Sequence, residues 1–418
     1  MSRRVNTPIN PAPPAHPLAI ADYRRYWLAR CASVFATSGM VVVLGYQLYD
    51  LARGPYGMSI RAAAFQLGLF GLAQFLPQIL FAPVAGVIAD RFDRRNIVVL
   101  AMLLDGLVAL ILALGTLFAW MTLPALFGTA ALHGAVRTFI GPAQSAIAPN
   151  IVPAPLMPRA VAISAMSWQI GSVAGPTLAG VMFAIHPALA YAVSAALLLI
   201  AAISTARIRP VPPPPGNADT HPLHQMGEGM AYVWRDRFLL GCVTLDLFAV
   251  LLGGATALLP VYARDILLWD GHPVGSFGLG MMRAMPSLGA SVVGLIIARR
   301  PIERDVGARM LWAVGVFGIA TAGFGLSRNF VLSMALLAVL GAADMVSVFI
   351  RNTLVQLHTP DAMRGRVSSI SGLCVSASNE LGEMESGLAA ALLGATGAVV
   401  FGGLGAVQDG GIHRSAEV

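Results

Sequence analysis

A run of about 20 consecutive apolar residues crosses the hydrocarbon layer of a membrane as a helix, and this 418-residue chain carries eleven such runs in succession. They lie near 27–52, 63–89, 97–119, 123–148, 160–184, 186–206, 238–263, 275–298, 308–326, 329–354 and 367–393. Inside the layer every backbone N–H and C=O must pair within the segment itself, which leaves helices as the structure for runs of this length. Composition agrees: 57% of the residues are hydrophobic and only 11% charged, too few to coat a water-soluble globule. The sequence therefore predicts an all-α membrane protein. A twelfth run, Ala395 to Val407, would reach only about 20 Å as a helix, so a short or aberrant last helix is expected. Eleven crossings would leave the tail on the side opposite the N-terminus.

Arginine placement sets the orientation, because positive charge in short loops is retained on the cytoplasmic side. With the N-terminus inside, one set of loops collects Arg24, Arg25, Arg91, Arg94, Arg95, Arg159, Arg207, Arg209, Arg299, Arg300, Arg364 and Arg366, whereas the other collects only Arg53, Arg61, Arg264 and Arg328. The expected arrangement is multi-pass with a cytoplasmic N-terminus and the lipid bilayer as permanent partner. The net charge of +7 is spread over these loops without a basic face or interleaved aromatics, so nucleic-acid binding is not indicated. Cys31, Cys242 and Cys374 each sit in an apolar run without CxxC spacing, which supports neither a disulfide framework nor a metal site. The polar residues 1–17 lack the apolar stretch of a cleaved signal.

The Pro-rich stretch Pro210 to Pro215 divides the chain into a tail (1–20), a six-helix bundle (21–206), a cytoplasmic linker (207–235), a second helix bundle (236–407) and an atypical tail (408–418). The halves echo each other. Gly86-Val-Ile-Ala recurs as Gly294-Leu-Ile-Ile, Pro153 as Pro360, and Met157 with Val161 as Met363 with Val367, each 206 to 208 positions on. Matches in equivalent loops indicate duplicated bundles related by an axis along the membrane normal.

Between the second and third runs stands Gly86-Val-Ile-Ala-Asp90-Arg91-Phe-Asp-Arg94-Arg95, which resembles the signature loop of the major facilitator superfamily. Arg137-Thr-Phe-x-Gly141-Pro142, the segment from Arg351 through Thr359-Pro360 to Arg364-Gly365-Arg366, and Asn379-Glu380-Leu-Gly382-Glu383 resemble that family's enterobactin-exporter-like branch. The resemblance covers about residues 20–405. It implies the major facilitator fold, two six-helix bundles in pseudo-two-fold relation around a cavity, and alternating access. It further implies secondary transport of a small organic molecule, siderophore-like or drug-like, as proton-coupled efflux by a monomer without cofactor. The same resemblance has Asp90 grip the start of the eleventh helix, near Arg366 and Val367, when the cytoplasmic side closes. Two departures stand out: Asp93 replaces the usual second Gly, and the duplicate loop Ala298-Arg299-Arg300 lacks the Asp.

Each motif has a second reading. Arg91, Arg94 and Arg95 are either part of this latch or plain positive-inside anchors. A charge within a span costs a few kcal/mol unless paired or facing water, which singles out Asp105, Arg137, Asp246, Arg283, Asp344, Arg351, Glu380 and Glu383. They either line a wet cavity that carries substrate and protons or pair locally to fix helix packing. Arg137 and Asp344 are 207 positions apart, so pseudo-symmetry makes them counterparts across the cavity; alternatively Asp344 pairs with Arg351, two turns along its own helix. His133 is a possible proton carrier or a helix-contact residue. Gly141-Pro142 and Gly175-Pro176 are expected to break their helices. Phe70, Phe75, Phe81, Trp120, Trp168 and Trp269 either stack on an aromatic substrate or, more commonly, face lipid or the interface, and none is assigned to a site.

An enzyme would need a nucleophile, metal cluster or acid–base pair at catalytic spacing; HExxH, GxSxG and P-loop motifs are absent, and the last absence also argues against an ATP-driven pump. An importer of a small metabolite and a non-transporting sensor remain the alternatives.

Overall fold

The structure is a computed structural model that describes residues 16–212, 222–236, 239–241, 244, 255–300 and 306–416. In the first half, α1 (Ala21–Arg53), α2 (Ile60–Arg91), α3 (Arg94–Leu117), α4 (Leu123–Ile151), α5 (Met157–Ile185) and α6 (Pro187–Ala206) run back and forth across one bundle. A linker helix α7 (Pro222–Arg235) follows, then α8 (Gly275–Arg299), α9 (Val306–Leu326), α10 (Phe330–His358) and α11 (Asp361–Ala416). The expected span 238–263 is described only in part. Its last residues form short turns, the final one a π-helical turn Tyr262–Ile266, before a small hairpin of β1 (Leu268–Trp269) and β2 (His272–Pro273). Asp246 lies outside the described residues, as does Cys242.

Side-chain caps set where several spans begin. Ser59, Asp93, Thr122 and Asn329 accept from the backbone N–H groups of Ala62, Arg95, Ala125 and Leu332, at the starts of α2, α3, α4 and α10. The repeat is visible here, since Thr122 and Asn329 are 207 positions apart and α4 and α10 are each 29 residues long. Along α3, Leu100, Leu103, Leu107, Leu110, Leu114 and Leu117 are exposed at helical spacing, an apolar stripe of the kind that faces lipid.

Within the first half α1 packs on α5 and α6, α2 on α4, and α3 on α4 and α6; in the second, α8 packs on α10, and α9 on α10 and α11. Two seams join the halves, α2 with α11 and α5 with α8. Both depend on glycine. A side chain on Gly387 would collide with the backbone of Gly68, and one on Gly180 would approach Gly280 Cα to 3.1 Å. Gln169 of α5 also donates across the second seam to Ser287 O, at 2.7 Å.

Call the loop ends gathering Arg91 to Arg95, Arg207 and Arg299 the Arg-rich face, and the opposite one the Arg-poor face. Toward the Arg-poor face one apolar core unites the halves, with Leu48, Ala64, Leu67, Leu259, Phe324, Leu337 and Ala390 in a single cluster. Toward the Arg-rich face the core divides. Tyr23, Tyr26, Val98, Met102, Ile147 and Ile208 cluster within the first half, and Val233, Leu239, Val355 and Val367 within the second. Among the described residues, the halves thus share one core on the Arg-poor side and have separate cores on the Arg-rich side.

Downstream of the Pro-rich stretch the linker carries a helix, α7, whose Val233 is buried against Leu239, Val355 and Val367. Two expectations change. Gly141-Pro142 and Gly175-Pro176 do not break their helices: α4 and α5 run through them unbroken. The last crossing is longer than its apolar run. α11 turns at Gly394, whose φ of 78° and ψ of 162° suit only glycine, and the arm beyond it continues to Ala416. Val399 meets Gly325 and Gly403 meets Gly318, so this arm descends antiparallel to α9, toward the Arg-rich face. Its 22 residues span about 33 Å, enough for the hydrocarbon layer. Among the described residues nine stretches are long and apolar enough to cross, the last of them Ala377–Val407.

Candidate functional site

Between the halves lies a cavity of about 510 Å³. α1 contributes Thr37 and Ser38, α2 Gln74, α4 Arg137, α5 Trp168 and Ser172, α8 Arg283, α10 Asp344, and α11 Asn379 and Glu383. Both bundles therefore supply charge to one chamber.

The four charges are not equivalent. Arg283 Nη2 sits 3.5 Å from Glu383 Oε1, and its Nη1 donates to Thr256 O at 2.9 Å, so this pair is internally satisfied and holds α8 to α11. Arg137 and Asp344 face the chamber from α4 and α10 and make no ion pair with each other or with any other described residue. Neither direct coupling nor a local Asp344–Arg351 pair is formed here. A partly wetted chamber tolerates such charges, and a solute of suitable charge or a proton can engage them.

The other candidates lie elsewhere. Arg351 is buried, 3% exposed, two turns further along α10 and off the cavity lining. Asp105 is also off the lining, in the core of the first bundle, where His133 Nδ1 lies 2.6 Å from its Oδ1. The side chains of Asp90, Glu380 and Arg366 lie outside the described residues.

The loop from Gly86 to Arg95 has a visible structural task. Asp93 Oδ1 accepts from Arg95 N at 2.9 Å and from Val211 N at 3.2 Å, and Arg95 Nη1 donates to Ile208 O at 3.0 Å. The residue that departs from the signature thus caps α3 and ties down the linker. Arg91 is exposed and Arg94 half-buried. A side chain added at Gly86 would meet nothing within 4 Å among the described residues.

On the Arg-poor face the halves are clasped by crossed charges. Asp265 accepts from Arg53 Nε and Nη2, both at 3.2 Å, and from Tyr49 OH at 2.5 Å, while Arg264 Nε lies 2.9 Å from Asp50 Oδ1. α1 and the turn Tyr262–Ile266 each offer one acid and one base to the other. Arg53 and Arg264 were legible in the sequence only as loop charges.

Trp168, Gln74 and Thr256 were missed as lining residues. Gln74 had a signal, a polar side chain in an apolar run, and it is 3% exposed. Trp168 was a possible stacking residue left unassigned, since a tryptophan in a span is more often lipid-facing or interfacial.

Comparison with known proteins places this geometry. The enterobactin exporter EntS of Escherichia coli O1:K1 is 28% identical over 390 residues, covering 92% of this chain and 86% of the relative. EntS of Escherichia coli O139:H28 (strain E24377A) is 27% identical over 389 residues with the same coverage. Among solved structures, the nucleoside transporter NupG matches with a TM-score of 0.74 at 11% identity, covering 94% of this chain and 99% of that one. A bacterial homolog of the human lysosomal transporter Spinster, in an inward-facing and occupied conformation, matches at 0.73 and 14%, covering 97% and 98%. The family description Major Facilitator Superfamily fits residues 26–383, which carry most of both bundles and the four charged residues of the cavity, and the chain belongs to the major facilitator superfamily.

Proposed function

We propose that this transporter exports a small organic molecule, siderophore-like or drug-like, from a bacterial cytoplasm across the inner membrane in exchange for protons. The observation that carries the reading is an asymmetry among the described residues: the halves share one core and a charge clasp on the Arg-poor face and have separate cores on the Arg-rich face. By the positive-inside rule the Arg-rich face is cytoplasmic, so the cavity opens where an exporter loads. The enterobactin exporters of Escherichia coli, 27–28% identical, support efflux and the substrate class.

Loading uses the chamber's own chemistry. The Trp168 ring offers a stacking surface, the Gln74 and Asn379 amides offer donors and acceptors, and Arg137 attracts anionic groups. Asp344 faces the same water and is the proton-taking group. When Arg137 approaches, it holds the carboxylate ionised; when an anionic substrate claims Arg137, Asp344 takes a proton instead. Closure then brings the Gly86–Arg95 loop against the start of α11, where Asp90 grips the helix N-terminus. Asp246 and Glu380 are assigned to the same pathway as intramembrane carboxylates, and Arg351 as their counter-charge.

The test is accumulation of candidate siderophores and drugs in cells with and without the chain, each with and without a protonophore. Reduced accumulation that the protonophore abolishes is the expected result. Raised accumulation would identify an importer, and no difference across the panel a sensor.

A further inference from the structure

The first bundle holds a second ionisable site that the cavity does not use. Asp105 on α3 and His133 on α4 are both fully buried and share a 2.6 Å hydrogen bond through Oδ1 and Nδ1. Their remaining polar atoms, Asp105 Oδ2 and His133 Nε2, are buried without a hydrogen-bond partner. Groups that serve only to fasten two helices normally have their polar atoms satisfied. Here each partner keeps one orphan atom.

With one proton the pair is neutral overall, as imidazolium and carboxylate or as carboxylic acid and imidazole. Without it a carboxylate stands in hydrocarbon with a neutral ring, a state that needs a counter-charge. The packed elements offer almost none. α2 has no acid or base between Arg61 and Asp90, Tyr191 is the only titratable side chain of α6, and α1 between Arg30 and Tyr46 has only the Cys31 thiol. α3 carries no acid or base beyond Arg95 except Asp105, and α4 none except His133 and Arg137. Arg137 follows His133 by four residues, so their Cβ atoms are about 5–6 Å apart, and it reaches into the cavity. Arg137 is therefore a cation close to the dyad along α4 that a solute can neutralise; on α1, which packs against α4, Arg30 also has a buried Nε without a hydrogen-bond partner.

We infer that Asp105 and His133 together bind one proton, and that the pair holds it more tightly when an anion in the cavity takes up the charge of Arg137. One proton enters or leaves the hydrogen-bonded pair, and no other bond changes. The inference deepens the proton-coupled reading above and rests on it for its consequence in transport: loading an anion from the cytoplasm favours protonation of the first bundle.

The experiment uses the full chain in lipid nanodiscs and follows exchange of the His133 ring C2 hydrogen by mass spectrometry from about pH 5 to about pH 8. Wild type should give a sigmoid at His133. Asp105→Asn should lower its midpoint, because the imidazolium loses its carboxylate. Arg137→Gln should raise it by about one to two pH units, because the deprotonated pair loses its counter-charge, and Arg137→Lys should restore the wild-type value. A flat His133 profile in wild type, which needs no variant, overturns the inference, and so does a midpoint that neither Asp105→Asn nor Arg137→Gln moves. Protonophore-insensitive transport with an intact His133 sigmoid would sink the proton-coupled reading and leave the dyad's proton standing; a flat profile with protonophore-sensitive transport would do the reverse.

Discussion

Asp265→Asn removes the charge on which the Arg-poor clasp converges while keeping side-chain size. Asp265 accepts two N–H bonds from Arg53 and one O–H bond from Tyr49, and the ion-paired side chains are 25% and 16% exposed. Hydrogen bonds to a charged group contribute about 1.5–3 kcal/mol each when desolvated, but an exposed ion pair contributes only about 0–1. A partly covered bidentate pair falls between, at about 1–2 kcal/mol for the state clasped on this face. Since about 1.4 kcal/mol is a factor of ten in a population ratio, the closed-to-open ratio should fall about 5- to 30-fold. Spin labels on Pro55 and His272, exposed positions of the two halves on that face, would report this by pulsed dipolar spectroscopy as a growing long-distance component. Asp50→Asn supplies an internal ranking. Its carboxylate is 49% exposed and pairs once, with Arg264, so its effect should be smaller. Distance distributions identical to wild type for Asp265→Asn, or a larger shift for Asp50→Asn, would refute the reasoning.

The glycine seams give a steric counterpart: Gly387→Val places methyl groups into the backbone of Gly68 and should destabilise the clasped state by about 1–3 kcal/mol, visible with the same label pair. Gln169→Leu deletes donors to Ser287 O and Ser291 Oγ across the other seam; the expected cost of about 1 kcal/mol should appear as a lower melting temperature in detergent. For topology, the arm beyond Gly394 descends along α9, so a protease site after Val418 should be cut from the same side of oriented vesicles as one before Met1. Cleavage from opposite sides would mean the arm does not cross. In the cavity, Arg137→Asp and Asp344→Arg should each reduce transport at least tenfold, and the double exchange should recover part of it; a double variant as inactive as either single one would remove direct coupling between the two.

Much of this fold is legible in the sequence because the bilayer permits few answers. A run of 20 apolar residues must be a helix, and its Arg-flanked ends choose a side. What was hidden depends on contacts between distant segments. The last crossing was underestimated because Gln408 and Asp409 end the apolar run, yet the helix continues where α9 supports it. Asp93 reads as a lost glycine until Val211 is seen donating to it. The clasp could not be read at all, since Asp50, Arg53, Arg264 and Asp265 are ordinary loop charges until α1 meets the turn Tyr262–Ile266. Of the candidate charges, Arg137, Arg283, Asp344 and Glu383 gather at one chamber, while Asp105 turns away to His133.

The 207-residue repeat separates what the duplication preserves from what it does not. Thr122 and Asn329 both cap helices, Gly134 and Gly341 both admit a neighbouring backbone, and Gly180 and Gly387 both form the seams between halves. These positions serve packing, and packing is the same problem in each bundle. The ionisable positions diverge instead. Arg137 corresponds to Asp344, Glu383 to Pro176, His133 to Leu340 and Asp105 to Trp312, which is 66% exposed. A chamber with identical charges on both walls would repel itself, whereas here Arg137 lines one wall and Asp344 the other. Under the proposed exchange, the symmetric scaffold would supply two states, and these unpaired substitutions would let a proton or a solute choose between them.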